Sequence, residues 1–220
     1  MLVAIVLAAG ASTRAGEDKA VADLGGRPLV RWSADTLAAE PRVDRLLVIE
    51  RKSAHAVSGA MQGLAKPCGF WPGGETRADS MRAALRAAVG ADAVLVHDAA
   101  RPFVDRATIA RVLDAFERDG AAAAALPLVD TIRRADAEAW AGEQLERDAV
   151  WAMQTPQAFR YADLVKGYGI RADATDCAAA AQAAGVRVRL VAGHPANFKV
   201  TSAEDLAFAR SLVARGAVTR

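Results

Sequence analysis

Only two cysteines, Cys68 and Cys177, occur in 220 residues, far apart and without metal-ligand spacing. That argues against a disulfide framework and a cysteine metal centre, and points to a reducing compartment where both thiols are structural. Excess charge of one sign is also missing. The formal net charge is +2, and no block of like charges marks a polyanion-binding or membrane surface. Nucleic-acid and membrane partners are therefore not expected, although local clusters could still hold small anions. No apolar run approaches the length of a membrane span. The first one, Leu2–Ala9, is short and lacks a charged leader, so it reads as a strand, and a cytoplasmic protein is expected. There is no internal repeat, and no low-complexity tract beyond an alanine bias.

Two common nucleotide-binding signatures are absent as well. The first loop runs Ala8–Ala9–Gly10–Ala11–Ser12–Thr13–Arg14–Ala15–Gly16–Glu17–Asp18–Lys19. A dinucleotide fingerprint would need glycine at Ser12 and Ala15, and Glu50 lies too far along for the usual ribose contact, which disfavours hydride transfer. Gly16 is followed by Glu17, and no Gly-Lys-Ser/Thr triplet exists, which disfavours Walker-type ATPase chemistry. What the loop does hold is two glycines, two hydroxyls and two cations. Backbone N–H groups in such a loop cradle anions, and the cations neutralise transferring phosphoryl groups.

Hydrophobic residues make up 53% of the chain, enough for a substantial core, and a single domain over residues 1–220 is expected. Apolar strand-like runs at Val3–Leu7, Arg45–Ile49, Ala93–Val96, Ala122–Leu126 and Val186–Val191 alternate with helical patterns, the signature of a doubly wound α/β parallel sheet. A helix is expected after Asp105 as N-cap, with Ile109, Val112, Leu113 and Phe116 on one face and Gly120 as its stop. Another spans Arg77 to Val89. A third is expected where Thr201 and Glu204 have capping-box spacing, covering a sheet face with Leu206, Ala209, Leu212 and Val213 and ending at Gly216. Residues 130–151 are polar and break this rhythm, which marks a protruding arm.

The segment Val94–Phe103 places a carboxylate, Asp98, and a guanidinium, Arg101, three residues apart where an apolar strand ends. Ligands of open α/β sheets bind at such ends. Pro102 disfavours helical geometry at Arg101, so His97–Pro102 is expected as an irregular turn suited to a phosphorylated substrate and a metal. A strand end closed by an Asp-Arg pair accounts for these ten residues equally well.

Ala8–Gly10 with Arg14, Gly16 and Lys19, followed by Leu24–Gly25–Gly26–Arg27–Pro28–Leu29, resembles the N-terminal signature of sugar-nucleotide and related nucleotidyltransferases. Further motifs narrow the resemblance: Pro72–Met81, His97–Pro102, Leu126–Ile132, Gln154–Gln157 and Lys199–Thr201. In that order they resemble the 2-C-methyl-D-erythritol 4-phosphate cytidylyltransferase family. The resemblance covers nearly the whole chain. It implies a Rossmann-like, open, twisted, mostly parallel sheet with helices on both faces and a protruding β-arm. It also implies the reaction of CTP with methylerythritol phosphate to give CDP-methylerythritol and pyrophosphate, in non-mevalonate isoprenoid synthesis.

A phosphate monoester is largely ionised near neutrality, its second pKa being about 6, so this reaction requires no general base. His97 is accordingly expected to be packed or hydrogen-bonded. The resemblance implies that Arg14 and Lys19 stabilise the pentavalent phosphorus, and that Arg147 and Lys199 hold the acceptor phosphate for attack. Ala8, Ala9, Gly10, Gly74, Glu75 and Ser80 match positions that approach CTP. Asp98, Ala99, Arg101, Thr131 and Thr155 match the acceptor pocket, with Asp98 open to either metal or polyol. Magnesium or another divalent cation is implied on the triphosphate, and a homodimer in which Thr131 and Arg147 on the arm enter the partner's site.

This chain also departs from the pattern. Arg14 reaches Lys19 in five steps where seven are usual, Asp18 replaces a proline and Ala20 a glutamine, so the shorter loop resembles that of molybdenum-cofactor nucleotidyltransferases. Cys177 stands where an acid is common, and Glu75 where an aspartate is frequent. Two alternatives stay open. One is a cytidylyltransferase for another acceptor, such as ribitol phosphate or molybdopterin; the other is a non-catalytic nucleotide-binding regulator.

Overall fold

The computed structural model describes residues 1–10, 19–51 and 56–218. Arg14 and most of the first loop lie outside the described residues. In chain order the elements are β1 (Leu2–Leu7), α1 (Leu29–Ala38), β2 (Arg45–Glu50), α2 (Ala56–Ala60), β3 (Cys68–Pro72), α3 (Arg77–Ala87), β4 (Ala93–Asp98) and α4 (Arg106–Asp119). They continue with β5 (Ala121–Pro127), β6 (Arg133–Ala135), β7 (Ala141–Gln144), β8 (Trp151–Arg160), α5 (Tyr161–Ile170), α6 (Cys177–Ala183), β9 (Arg189–Ala192) and α7 (Ala203–Ala214). Short 3₁₀ turns stand at Lys19–Val21 and Arg147–Ala149.

Seven strands form one sheet in the order β3-β2-β1-β4-β8-β5-β9, parallel throughout except for β8, which runs antiparallel between β4 and β5. Both faces are covered, which is why β1, β2, β4 and β5 read as largely apolar runs. Successive side chains of β1 go to opposite sides. Ala4 and Val6 pack with Val30 and Leu37 of α1 and Ile109 and Val112 of α4. Val3 and Ile5 pack with Met81 and Leu85 of α3, Leu164 and Tyr168 of α5, and Cys177 of α6. Ala121–Ala125 of β5 are fully buried, their small side chains allowing close layer contact.

The helix after Asp105 forms as expected. Asp105 accepts the Thr108 N–H and Gly120 closes the helix at φ +81°, a conformation glycine adopts without a Cβ penalty. The Arg77 helix is shorter than expected, ending at Ala87. The last helix corrects two expectations. Its N-cap is Ser202, paired with Asp205 in a capping box, one residue beyond the Thr201/Glu204 frame. Thr201 instead bonds Asp205 from outside the helix, through both its N–H at 2.7 Å and its hydroxyl at 2.6 Å. Nor does α7 cover a sheet face: Leu206 and Ala209 pack on Leu24, Leu29, Trp32, Phe103 and Val200, none of which lies in a strand.

Two main-sheet strands have no counterpart in the sequence reading. The edge strand β3 carries Gly69 and Pro72 and is only partly buried, so its apolar signal is weak. The central strand β8 is interrupted by Gln154, Thr155, Pro156 and Gln157, which are buried, with the Gln154 and Gln157 amide nitrogens and the Thr155 hydroxyl hydrogen-bonded inside. The final expected strand starts later, at Arg189. Within the stretch 130–151, β6 and β7 pair antiparallel in a separate two-stranded sheet with every residue exposed, whereas Trp151 already belongs to β8 of the main sheet.

Candidate active site

Expected as an irregular turn, His97 and Asp98 instead complete β4. Their backbone registers with Val6 and Leu7 of β1, which carries the strand to the carboxyl end of the sheet. The turn begins at Ala99, whose N–H donates to the Leu7 carbonyl at 3.0 Å. Asp98 is thereby delivered, almost buried, to the point where the parallel strands end.

A cavity of about 370 Å³ opens there. Ala8, Ala9 and Gly10 form one wall, where β1 ends. Gly74, Glu75, Thr76, Arg77 and Ser80 form another, where β3 turns into α3. Asp98 and Ala99 form the floor, and Lys19, Lys199 and Thr201 complete the rim. Two glycines make the second wall possible. A methyl on Gly73 would overlap that of Ala9 and stand 2.9 Å from Ser80 Oγ, and one on Gly74 would overlap the Asp79 side chain. Ser80 is buried facing this turn, where its Oγ accepts the Gly74 N–H at 3.2 Å. The Thr76–Asp79 capping box fixes the start of α3.

Charge in the cavity centres on Asp98. Its Oδ2 accepts from Lys199 Nζ at 2.8 Å and its Oδ1 from Arg77 Nη2 at 3.3 Å. Burial works against the carboxylate, but the nearby charges of Arg77 and Lys199 outweigh it and hold the Asp98 carboxyl down at about 2. Lys19 Nζ donates to the Thr201 carbonyl, which links the end of the first loop to the segment carrying Lys199. Arg77 was missed in the sequence reading, where it marked only a helix start. Its position in the Gly-Gly-Glu-Thr-Arg turn, aimed at a strand end, is the signal that could have found it.

Behind Asp98 lies a buried polar cluster. His97 is fully buried; its Nε2 sits 3.0 Å from the Arg101 carbonyl and its Nδ1 3.0 Å from Thr155 Oγ1. A carbonyl only accepts, so Nε2 carries the proton and Nδ1 accepts from the threonine hydroxyl. Desolvation lowers the His97 pKa to about 4, leaving the ring neutral. The expectation of a packed, hydrogen-bonded histidine holds. Thr155 Oγ1 also accepts the Asp98 N–H at 3.1 Å.

The suspected Asp98–Arg101 salt bridge is not made. Arg101 turns away from the cavity and donates to the carbonyls of Asn197 at 2.8 Å and Met153 at 3.3 Å. Asn197, also missed, is fully buried; its Nδ2 donates to the Thr155 carbonyl at 2.7 Å and to Gln154 Oε1 at 3.3 Å. These bonds fasten the Lys199 segment to β8. Thr131 and Arg147 do not reach the main cavity in one chain, but line a separate cleft on the arm, where Arg147 Nη1 donates to the Val129 carbonyl at 2.8 Å.

Among the described residues, no three His, Cys, Asp or Glu side chains converge as metal ligands. Both Asp98 oxygens are engaged by cations, so Asp98 does not fit as a metal ligand in this arrangement. No helix among the described residues is long and apolar enough to cross a membrane.

An open α/β sheet in the order β3-β2-β1-β4 carries a cation-rimmed cavity at its carboxyl end, a place and lining suited to a phosphorylated ligand. A family model described as IspD, 2-C-methyl-D-erythritol 4-phosphate cytidylyltransferase, matches residues 2–215, and the chain belongs to that family. The bifunctional enzyme IspD/IspF of Anaeromyxobacter sp. (strain Fw109-5) is 46% identical over 220 residues, covering 96% of this chain and 57% of that protein. The chain thus spans little more than half the length of such bifunctional relatives. The 2-C-methyl-D-erythritol 4-phosphate cytidylyltransferase of Deinococcus radiodurans is 41% identical over 95% of this chain and 88% of its own length. Among solved structures, the enzyme of that name from Thermus thermophilus superposes with a TM-score of 0.79 at 38% identity, covering 97% of this chain and all of that one. The 4-diphosphocytidyl-2C-methyl-D-erythritol synthase of Anaerococcus prevotii gives a TM-score of 0.87 at 25% identity, covering 97% and 98%.

Proposed function

We propose that the chain transfers CMP from CTP to 2-C-methyl-D-erythritol 4-phosphate, giving CDP-methylerythritol and pyrophosphate. The observation that carries this reading is a cavity rimmed by Lys19, Arg77 and Lys199 whose neighbouring histidine is neutral and walled in. Such a site neutralises phosphates and offers no histidine base. The proposed reaction needs none: an acceptor phosphate oxygen attacks the α-phosphorus of CTP, the bond to the bridging oxygen breaks, and pyrophosphate carries off the charge.

In this proposal Ala8–Gly10 and the Gly74, Glu75 and Ser80 turn take the nucleotide, while Arg14 and Lys19 stabilise charge on the α-phosphoryl group. Lys199 takes the acceptor phosphate, with Asp98 and Ala99 beneath it. Arg101 and Thr155 keep that side in shape from within the protein. Arg147 and Thr131 come from the arm of a second subunit in an isologous homodimer, a reading supported by the exposed Trp140 on the arm and the exposed Val129 at its base. Magnesium enters only as a companion of the triphosphate, whose own oxygens would ligate it. A cytoplasmic location belongs to the same proposal.

The test is pyrophosphate release from CTP with methylerythritol phosphate, ribitol phosphate or molybdopterin as acceptor. Release with the first alone is expected. Preference for another acceptor would reassign the substrate, and CTP binding without release under any of them would leave a nucleotide-binding regulator.

A further inference from the structure

Asp98 holds two cations, and they are not equivalent. Arg77 is the first residue of α3, whose start is fixed by the capping box, and its second terminal nitrogen lies 3.9 Å from Sγ of the buried Cys177. Its side chain is 25% exposed and that of Asp98 only 10%, whereas Lys199 is 42% exposed. Lys199 also carries a compact ammonium on a flexible four-carbon stem, while the Arg77 guanidinium is held on two sides, by a carboxylate and a thiol. One partner is built in; the other is free to leave.

This asymmetry bears on ligand exchange. A buried carboxylate with a single cation holds it with its whole charge, and losing that cation would strand an uncompensated charge inside the protein. A carboxylate already neutralised by a fixed guanidinium competes more weakly for the second cation. A phosphate monoester dianion, with more charge and three acceptor oxygens, then wins the ammonium.

We propose that Arg77 is a positioning residue for the acceptor phosphate: as the fixed counter-ion of Asp98, it lets Lys199 pass from that carboxylate to an incoming phosphate dianion. The step is an exchange of ion-pair partners in which no covalent bond changes. It rests on the transfer reaction proposed above, and it gives a role to the arginine that lines the cavity beside Asp98.

The experiment is a double-mutant cycle in steady-state kinetics with CTP and methylerythritol phosphate, on wild type, Arg77→Gln, Lys199→Ala and the double variant. Arg77→Gln is expected to raise the acceptor KM about tenfold or more while the KM for CTP stays within about threefold, and Arg77→Lys to recover most of the loss. In the Lys199→Ala background the Arg77→Gln penalty should vanish, because the residue that Arg77 acts through is gone. An undiminished penalty in that background, or an equal rise in both KM values, overturns the handover. If wild type does not turn over the acceptor, the transfer reading itself fails, and inorganic phosphate binding followed by ³¹P NMR decides the handover instead. Each single variant should then weaken phosphate binding about tenfold, and the double no further; unchanged binding in Arg77→Gln overturns it. Thermal melts check folding, and Arg77→Met replaces Arg77→Gln in the same comparisons if the latter does not fold.

Discussion

Thr155 Oγ1 stands 3.0 Å from His97 Nδ1 and, on its other side, 3.1 Å from the Asp98 backbone nitrogen, so one buried hydroxyl joins the neutral histidine to the seat of the central carboxylate. The arrangement predicts a pH dependence of stability. Folded His97 titrates at about 4 against an ordinary 6.5, so between those values the unfolded chain binds the extra proton. Stability is full above about pH 6.5 and falls towards pH 4, by about 3 kcal/mol from this residue. Asp98 adds a further loss between its ordinary 3.8 and about 2. Urea midpoints from pH 7 to 4.5 should fall in wild type and much less in His97→Gln; equal slopes would contradict the buried neutral ring.

Lys19 connects the first loop to Thr201 at the cavity rim. Replacing it by alanine should lower kcat about a hundredfold or more, the scale of losing a transition-state charge contact. Single-turnover measurements with saturating CTP check this, and wild-type rates would remove Lys19 from the chemistry.

Gly73 offers a purely steric test. Its missing side chain lets the β3–α3 turn lie against Ala9 and Ser80. Gly73→Ala should cost roughly 1–3 kcal/mol, the usual range for overpacking, and weaken CTP binding by displacing the nucleotide wall. Calorimetry with CTP, alongside a denaturation curve, reads both. Unchanged CTP affinity would show that this wall does not meet the nucleotide.

Asn197 donates to Thr155 and Gln154 from a fully buried position two residues before Lys199. Asn197→Ala removes the side-chain donor to the Thr155 carbonyl and leaves Gln154 Oε1 only the His194 N–H, and should destabilise the protein by about 1–3 kcal/mol. Because the same bonds seat the Lys199 segment, the KM for the acceptor should rise more than that for CTP. A loss of stability with both KM values unchanged would confine Asn197 to a structural role.

The arm makes its own prediction. If Arg147 serves the partner's cavity, Arg147→Ala and Lys199→Ala are each impaired alone, yet mixed dimers contain one site with both residues intact. Unfolding and refolding the two together should restore up to about a quarter of wild-type activity, a fraction set by random pairing. Sedimentation should show a dimer. A fully active monomer, or no recovery on mixing, would rule out the shared site.

Much of the fold was legible because apolar strands buried on both faces, and helices capped by Asp105 or stopped by Gly120, announce themselves locally. The edge strand β3 and the polar strand β8 did not, since their residues are stabilised by neighbours distant in sequence. The same division runs through the site. Motifs around Ala8–Gly10, Gly74–Ser80, Asp98 and Lys199 marked the cavity walls. They could not show that Arg101 would turn to backbone carbonyls while Arg77 took its place beside Asp98.

Periodicity, caps and close-packing glycines are properties of short stretches of chain, and they settled the layered α/β architecture and the end of the sheet at which the cavity lies. Which cation pairs with which carboxylate depends on side chains 21 and 101 residues apart in the chain, brought within hydrogen-bond reach of Asp98 only when the sheet and its connecting loops are assembled.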